Sequence, residues 1–213
     1  PTAQIHTLSF GSDNTVVCDD ASLATTNSSM QRAVTIAGSD GADTFTILSA
    51  AEASAAGITD IAASAEIIVT RNGTDNSSVI AELADIDALI IDTADGDDHI
   101  TFIGDFGATE LFIVDGGGSD TTDVAQFTSV LDVSFYSGGD DQIVGNIGHI
   151  NLIGIDDGND SYDGSGGNDT YDMSSAIFNA NVNLATGASS SEDTGHDTLL
   201  NVENVTTGSG HDH

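Results

Sequence analysis

Aspartates and asparagines placed beside glycines are the residues of this sequence that could do chemistry. They are densest in the segment 156–172, where two nine-residue units follow each other. Identical residues nine positions apart include the pairs Asn159 and Asn168, Asp160 and Asp169, Tyr162 and Tyr171, and Asp163 and Asp172. Carboxylate and amide oxygens are hard ligands that Ca²⁺ takes six to eight at a time, and glycines supply the positive φ angles of tight turns. So many carboxylates in one turn predict that a cation neutralises them.

We predict calcium ligands in two groups. The first matches the repeated unit position by position and comprises Asp156, Asp157, Asn159, Asp160, Asp163, Asn168, Asp169 and Asp172. The second lies in earlier acidic turns and comprises Asp95, Asp97, Asp98, Asp115, Asp120, Asp140 and Asp141. Asp40 and Asp43 form a weaker N-terminal pair, for which hydrogen bonding to their own turn is an equally good explanation.

The acidic turns belong to a repeat that runs along most of the chain. Gly-x-Asp occurs thirteen times, at the glycines 11, 38, 41, 73, 96, 118, 138, 139, 154, 158, 167, 195 and 210. Random placement of these residue types would give about three such triplets, which favours a repeat architecture. In six cases the aspartate precedes an x-hydrophobic pair that should begin a strand, with the hydrophobic residues Phe45, Ile100, Ile143, Tyr162, Tyr171 and Leu199.

The elements that position these turns are short strands. Apolar runs rich in β-branched residues, bounded by glycine or aspartate, predict strands at 34–36, 45–48, 66–70, 88–91, 100–103, 110–114, 131–135, 150–153 and 182–184. Turn aspartates recur at a steady interval in the series Asp75, Asp98, Asp120, Asp141 and Asp160. We therefore predict an all-β fold, a parallel β-roll or β-solenoid with about 20 residues per coil. Successive turns would stack about 4.8 Å apart, so that aspartates of neighbouring coils share cations.

Two segments depart from this pattern. The run Ser49-Ala-Ala-Glu52 is a capping box ahead of an alanine-rich stretch that ends at Gly57, which predicts one short helix at 50–56. The polar stretch 187–195 is typical of an exposed loop.

The tandem unit resembles the Gly-Gly-x-Gly-x-Asp-x-hydrophobic-x repeats of the repeats-in-toxin family, most clearly over 158–172 and more loosely over 181–212. The resemblance implies a calcium-binding parallel β-roll that folds after export. The first half of the chain departs from the family consensus. We therefore predict two regions, divergent coils with the helix at 1–90 and acidic calcium-binding coils at 91–213, within one continuous solenoid.

Composition limits the partners. The chain has 35 acidic residues against two basic ones, Arg32 and Arg71, and its formal net charge is −33. Nucleic acid and anionic membranes both require a basic face, so neither is an expected partner. The lone Cys18 leaves no intrachain disulfide, and no apolar run is long enough to cross a bilayer. We expect a segment of a longer polypeptide that does not insert into membranes.

These observations predict a secreted, extracellular or cell-surface calcium-binding segment with a structural role, as a filament, surface layer or spacer. Its partners would be calcium ions and either other copies of itself or neighbouring domains of its own chain. An adhesin or ligand-binding module, and a non-catalytic accessory module of a secreted enzyme or toxin, are the alternatives. Catalysis is not expected, because polyanion-processing chemistry needs cationic groups that a chain with two arginines and no lysine does not offer.

Overall fold

Short β-strands dominate the chain. The computed structural model describes residues 4–8, 32–107, 109–128, 133–136, 138–146, 148, 150–153 and 158–213. Within these ranges the strands are β1 (Gln4–Leu8), β2 (Arg32–Ala37), β3 (Thr44–Ser49), β4 (Ile67–Arg71), β5 (Val79–Leu83), β6 (Ala88–Asp92), β7 (His99–Gly104), β8 (Glu110–Val114), β9 (Thr121–Phe127), β10 (Val133–Tyr136), β11 (Gln142–Val144), β12 (Ile150–Ile153), β13 (Ser161–Asp163), β14 (Thr170–Asp172), β15 (Asn181–Asn183), β16 (Ala188–Ser191), β17 (Gly195–Leu200) and β18 (Asn204–Thr206). The helix of this described part is α1 (Ala50–Ala55).

The strands form two sheets. The first has the order β1-β2-β6-β8-β10-β12-β14-β18, and the second has the order β15-β16-β17-β13-β11-β9-β7-β3-β4-β5. From β6 to β14 each strand lies in the sheet opposite to that of the strand before it, so the chain passes repeatedly from one sheet to the other. Pairing between these strands is parallel and follows the order of the chain.

The core lies between the sheets and is built by alternation along each strand. In β7, buried Ile100 and Phe102 alternate with exposed or half-buried residues, as the period of two in a strand requires. The parallel register aligns Phe45 with Ile100, so equivalent side chains stack on one another. Fully burying such a side chain contributes about 1.5–3 kcal/mol relative to leaving it exposed. The stack is therefore held by rows of apolar side chains as well as by the strand ladders.

An antiparallel unit is inserted after β3. Strands β3, β4 and β5 pair antiparallel, and α1 packs a second apolar cluster of Leu48, Ala53, Ile58 and Ile68 against them. The helix begins after Ser49, whose Oγ accepts a hydrogen bond of 3.3 Å from the backbone N–H of Glu52. The prediction of one short helix at 50–56 is confirmed.

A second antiparallel unit follows β14, where β15, β16 and β17 pair with each other. The predicted loop at 187–195 is wrong over its first half, because Ala188–Ser191 forms the strand β16. The serines of this segment form a strand although they are polar. Ser189 is buried and pairs with Asp197.

The described part of the chain is mostly β, but its helix and its sheets, which mix parallel and antiparallel pairing, bear out the all-β prediction only in part. One step of the predicted repeat is wrong. Asp75 does not precede Asp98 in the stack but lies in the connection between β4 and β5, where its Oδ1 accepts hydrogen bonds from the backbone N–H groups of Ser77 and Ser78. The inserted antiparallel unit displaces it, and Asp43 takes its place. In the described part of the chain, no helix is long and apolar enough to cross a membrane.

Candidate cation-binding site

Tight turns connect strands of the first sheet to strands of the second. Gly118 and Gly139 occupy equivalent places in successive turns and have φ values of 153° and 121°. A Cβ atom on Gly118 would lie 1.9 Å from the carbonyl oxygen of Gly96, and one on Gly139 would lie 1.9 Å from the carbonyl oxygen of Gly118. Because no side chain fits there, glycine allows the backbones of neighbouring turns to touch.

Each of these turns ends with a buried aspartate immediately before a strand of the second sheet, and Asp197, which lies within β17, takes the equivalent place beside Asp160. The backbone N–H of each aspartate donates to Oδ1 of its equivalent in the next turn, which links six residues into what we call the aspartate ladder. The N···O distances are 2.7 Å from Asp43 to Asp98, 2.7 Å from Asp98 to Asp120, 2.9 Å from Asp120 to Asp141, 2.9 Å from Asp141 to Asp160 and 3.2 Å from Asp160 to Asp197. One oxygen of each carboxylate after the first is thereby occupied, and the ladder also fixes the register of the turns.

At the N-terminal rung the carboxylate is neutralised by the protein. Asp43 accepts hydrogen bonds from Nε of Arg71 at 2.7 Å on Oδ1 and from Nη2 of Arg71 at 2.8 Å on Oδ2. The backbone N–H and the hydroxyl of Ser39 also donate to Oδ2, at 2.9 and 3.0 Å. Both oxygens of the first rung are therefore satisfied.

At the C-terminal rungs the second oxygen accepts a hydrogen bond from a tyrosine. The hydroxyl of Tyr162 donates to Oδ2 of Asp160 at 2.9 Å, and the hydroxyl of Tyr171 donates to Oδ2 of Asp197. The two rings are buried and lie with centroids 5.6 Å apart. Burial, and secondly the nearby charge of Asp197, raise the pKa of the Tyr171 hydroxyl, which keeps it protonated and able to donate.

The central rungs differ from both ends. Oδ2 of Asp98 and Oδ2 of Asp120 are buried and accept no hydrogen bond. Asp115, directly after β8, is fully buried, and neither of its carboxylate oxygens has a hydrogen-bond partner. One turn earlier the equivalent residue is Thr93, whose hydroxyl donates to the carbonyl of Asp115 at 2.9 Å. A buried carboxylate without a partner costs several kcal/mol if it is ionised, so these positions call for a neutralising group.

The lack of hydrogen-bond partners in the central rungs is accompanied by raised pKa values of their carboxyl groups. Burial, followed by repulsion from Asp141 and Asp120, raises the pKa of Asp115 to about 8. Burial also raises the pKa of Asp120 to about 7, with further repulsion from Asp141 and Asp98. The pKa of Asp98 is raised as well, again chiefly by burial. Without a cation, these carboxyl groups hold protons at pH values where an exposed aspartate is ionised.

The geometry of the central rungs could hold a metal ion. Carboxylate oxygens of Asp115, Asp120 and Asp141 all lie within 4.8 Å of one another, and all three residues are buried. Two oxygens bound to one Ca²⁺ at about 2.4 Å can be at most about 4.8 Å apart, and the separations between the three residues meet this limit. Oxygen-only ligands suit a hard cation such as calcium rather than zinc, which prefers nitrogen and sulfur.

The predicted ligands thus fall into several environments. One set is buried on the inner side of the turns and comprises Asp98, Asp115, Asp120, Asp141 and Asp160. The ladder joins all of these residues except Asp115. Asp156 and Asp157 lie outside the described residues.

Another set of predicted ligands lies on the outer side of the same turns and is exposed. Oδ1 of Asp97 accepts the backbone N–H of Ser119 at 3.0 Å, and Oδ1 of Asp140 accepts that of Asn159 at 2.7 Å. Asp95 is also exposed, and its backbone forms a parallel bridge with Gly117. The side chains of Asp97 and Asp140 therefore link neighbouring turns, and none of the three carboxylates belongs to the central cluster.

The remaining predicted ligands of the tandem unit lie away from the central cluster. Asp163 and Asp172 each accept the backbone N–H of the residue two positions later, at 2.9 and 2.8 Å, as turn residues do. Exposed Asn168 accepts a hydrogen bond from Nδ2 of Asn204 at 3.1 Å. Asp169 is fully buried, and its backbone N–H donates to Oε2 of Glu203 at 2.9 Å.

Four residues that contribute to the ladder were not among the predicted ligands. Asp197 is its last rung, and the triplet Gly195-His196-Asp197 carried the same signal as the chosen turns. The hydroxyl of Tyr162 occupies an oxygen of the predicted ligand Asp160, and the hydroxyl of Tyr171 occupies one of Asp197. Arg71 gave no local signal, because it reaches Asp43 only through the antiparallel pairing of β3 with β4.

Comparison of the chain with protein-family models, with curated proteins and with solved structures gave no match. The resemblance to the repeats-in-toxin family therefore stays a prediction based on the motif residues alone.

Proposed function

We propose that this chain is a secreted, calcium-binding β-solenoid segment with a structural role, as part of an extracellular filament, a surface layer or a surface-protein spacer. The observation that carries the proposal is the buried cluster of Asp115, Asp120 and Asp141, with carboxylate oxygens within 4.8 Å of one another. A fold that buries three carboxylates together gains from a divalent cation that binds only the folded state.

The strand arrangement supports the solenoid part of the proposal. Strands from β6 to β14 alternate between two sheets and pair in parallel, and each circuit of the chain brings one acidic turn onto the previous one. Strands β4 and β5 and strands β15 and β16 are insertions into this path, which pair antiparallel with β3 and β17. A stack of this kind places equivalent aspartates one strand spacing apart, about 4.8 Å, so carboxylates of neighbouring turns can share a cation.

The extracellular part of the proposal follows from calcium affinity and charge. Modules of extracellular proteins bind calcium with Kd values of roughly 10⁻⁴ to 10⁻³ M, so calcium stabilises such a segment outside the cell and not in a low-calcium cytosol. A net charge of −33 adds self-repulsion that calcium relieves. The resemblance to exported repeat proteins points the same way. The proposed role is non-catalytic, with calcium ions and copies or neighbouring domains of the chain as partners.

A ligand-binding or adhesive role is the second candidate, because one observation favours it. The register of the second sheet aligns Thr44, His99, Thr121, Gln142, Ser161 and Thr198 in one row across six strands. These side chains are exposed or half-buried and none is a carboxylate, which is unusual on a chain of this charge. The row offers hydrogen bonds at regular spacing to an uncharged extended polymer. Loss of binding to immobilised neutral polysaccharides on substitution of Thr121 and Gln142 by alanine would support this role.

The calcium proposal is tested by folding and binding together. Circular dichroism and calorimetric titration would be recorded first in chelator and then in about 5 mM calcium, at fixed ionic strength so that screening stays constant. We expect the melting temperature to rise with calcium and the rise to shrink in Asp120→Asn. The matched control is Asp60→Asn, which removes the same charge from an exposed residue with φ of 64°, a conformation that asparagine tolerates. A wild-type melting temperature that does not respond to calcium would exclude the proposal.

A further inference from the structure

One of the few basic residues of the chain lies at the start of the aspartate ladder. The chain contains two basic residues among 213, and one of them, Arg71, lies at the end of β4. The antiparallel register pairs Arg71 with Phe45 on β3, and its guanidinium carbon lies 5.8 Å from the centre of the Phe45 ring. The ring supports the planar guanidinium beside Asp43.

The guanidinium occupies the carboxylate of Asp43 on both oxygens. Besides the hydrogen bonds from Nε and Nη2, the closest approach of Nη2 to Oδ1 is 2.6 Å. Nη2 also donates to the hydroxyl of Ser39 at 2.9 Å, and that hydroxyl in turn donates to Asp43. The side chains of Arg71 and Asp43 are only 13% and 3% exposed, so water screens the pair little.

Asp43 is nevertheless an ordinary rung of the ladder. Its backbone N–H donates to Oδ1 of Asp98 in the same way as that of Asp98 donates to Asp120. The difference lies in the second oxygen, which is satisfied at Asp43 and has no hydrogen-bond partner at Asp98 and Asp120. One rung therefore has a protein counter-ion in the place where the next rungs have none.

We propose that Arg71 is a built-in substitute for a metal ion at the first rung, so that the row of calcium sites begins at Asp98 and the Asp43 rung forms without calcium. This inference rests on the proposed function, because it takes the central rungs to bind calcium. It goes further in assigning a latent cation site at Asp43 and Ser39, which the guanidinium closes. Removing the charge of Arg71 should open that site to calcium.

The test compares Arg71→Gln with the wild type in two measurements, the number of calcium ions bound per chain and the melting temperature with and without calcium. We expect Arg71→Gln to bind one more ion than the wild type. In chelator its melting temperature should fall by about 5 °C or more, and saturating calcium should remove most of that deficit.

Two further variants keep the result specific. Arg71→Lys retains a positive charge and should bind the wild-type number of ions. The double variant Asp43→Asn with Arg71→Gln has no charge at the rung and should also gain no ion. An additional ion in Arg71→Gln that is absent from both of these variants would locate the new site at Asp43.

Each outcome decides the inference. An Arg71→Gln chain that binds the wild-type number of ions, or whose deficit is equal with and without calcium, would show that Arg71 only forms an ion pair. A chain that stays unfolded at every calcium concentration would also overturn the inference, since calcium then cannot replace the guanidinium. If the wild type binds no calcium, the proposed function fails. In that case, gain of one ion by Arg71→Gln would still support the role of Arg71, and no gain would overturn it.

Discussion

The buried carboxylates at the two ends of the aspartate ladder have hydrogen-bond partners for their second oxygen, whereas those at its centre lack them. At the ends, protein groups satisfy the second carboxylate oxygen: Arg71 at Asp43, Tyr162 at Asp160 and Tyr171 at Asp197. In the centre, Asp98, Asp115 and Asp120 are buried with oxygens that have no hydrogen-bond partner. The stack is the same throughout, so the difference lies in the charge balance of each rung. Under the proposed function, the ends form without a cation and the centre binds one.

The largest expected effect comes from separating the central rungs. In Gly118→Ala the new Cβ would meet the carbonyl oxygen of Gly96, and the φ of 153° disfavours any side chain. We expect a loss of about 2–4 kcal/mol in unfolding free energy and a weaker calcium response. Gly41→Ala is the control, since a Cβ there meets nothing within 4 Å. Chemical denaturation of both variants measures the difference, and equal stabilities would contradict the contact between turns.

Replacing Asp115 by its counterpart in the preceding turn should have effects of opposite sign in the two conditions. In chelator, Asp115→Thr removes a buried carboxylate without a hydrogen bond, so we expect a gain of about 1–3 kcal/mol. In calcium the same change removes a ligand, so the stabilisation by calcium should shrink. Thermal unfolding with and without calcium measures both effects. A variant that is destabilised equally in both conditions would argue against a cation at this position.

Acidity should affect the centre of the ladder in chelator. The pKa values of Asp115 and Asp120 in the folded chain are about 8 and about 7, above the ordinary value of 3.8. The folded state therefore binds more protons than the unfolded state between these values and about pH 4, and stability falls as pH rises through that window. The contribution is complete below about pH 4 and lost above about pH 8. Melting temperatures in chelator from pH 5 to pH 9 should fall, and less steeply in Asp115→Thr. A flat profile in the wild type would contradict the buried charge cluster.

The smallest effect is expected at the C-terminal end. Tyr171→Phe removes the hydroxyl that donates to Asp197, at a cost of about 1–2 kcal/mol. Because this rung relies on the tyrosine, the loss should be the same in chelator and in calcium, and Tyr162→Phe should behave alike at Asp160. If calcium restores the stability of either variant, the C-terminal rungs are cation sites too and the contrast with the centre disappears.

Much of this arrangement could be predicted from local patterns in the sequence. Gly-x-Asp followed by x-hydrophobic located the starts of the strands that contain Phe45, Ile100, Ile143, Tyr162 and Tyr171, because a turn and the strand after it depend on residues close in sequence. The strand of Leu199 begins earlier than this pattern predicts, at Gly195. The capping box at Ser49 located α1 for the same reason. The predicted ligands included four of the six ladder aspartates, Asp98, Asp120, Asp141 and Asp160.

The sequence could not show which of the predicted ligands have protein partners, because this depends on contacts between distant residues. The tandem unit at 158–172 carried the strongest motif, yet Asp160 there accepts a hydrogen bond from Tyr162. Asp115 was predicted as a ligand only from the stacking of turns, yet it lies in the buried cluster. Asp75 fitted the repeat interval, but the antiparallel unit places it at a hairpin connection. In each case a partner brought in by tertiary structure decides whether a carboxylate needs a cation.

Hydrogen exchange of single amides, with chelator and with calcium, tests the difference between the centre and the ends most directly. Calcium at a hundredfold excess over Kd adds about 2.7 kcal/mol per independent site, which corresponds to about a hundredfold slower exchange of amides that open with that site. We predict protection of this size for the amides of Asp98, Asp120 and Asp141, and little change for amides of β3 and β4 around Asp43 and Arg71. Equal protection along the whole ladder, or none in the centre, would contradict the account.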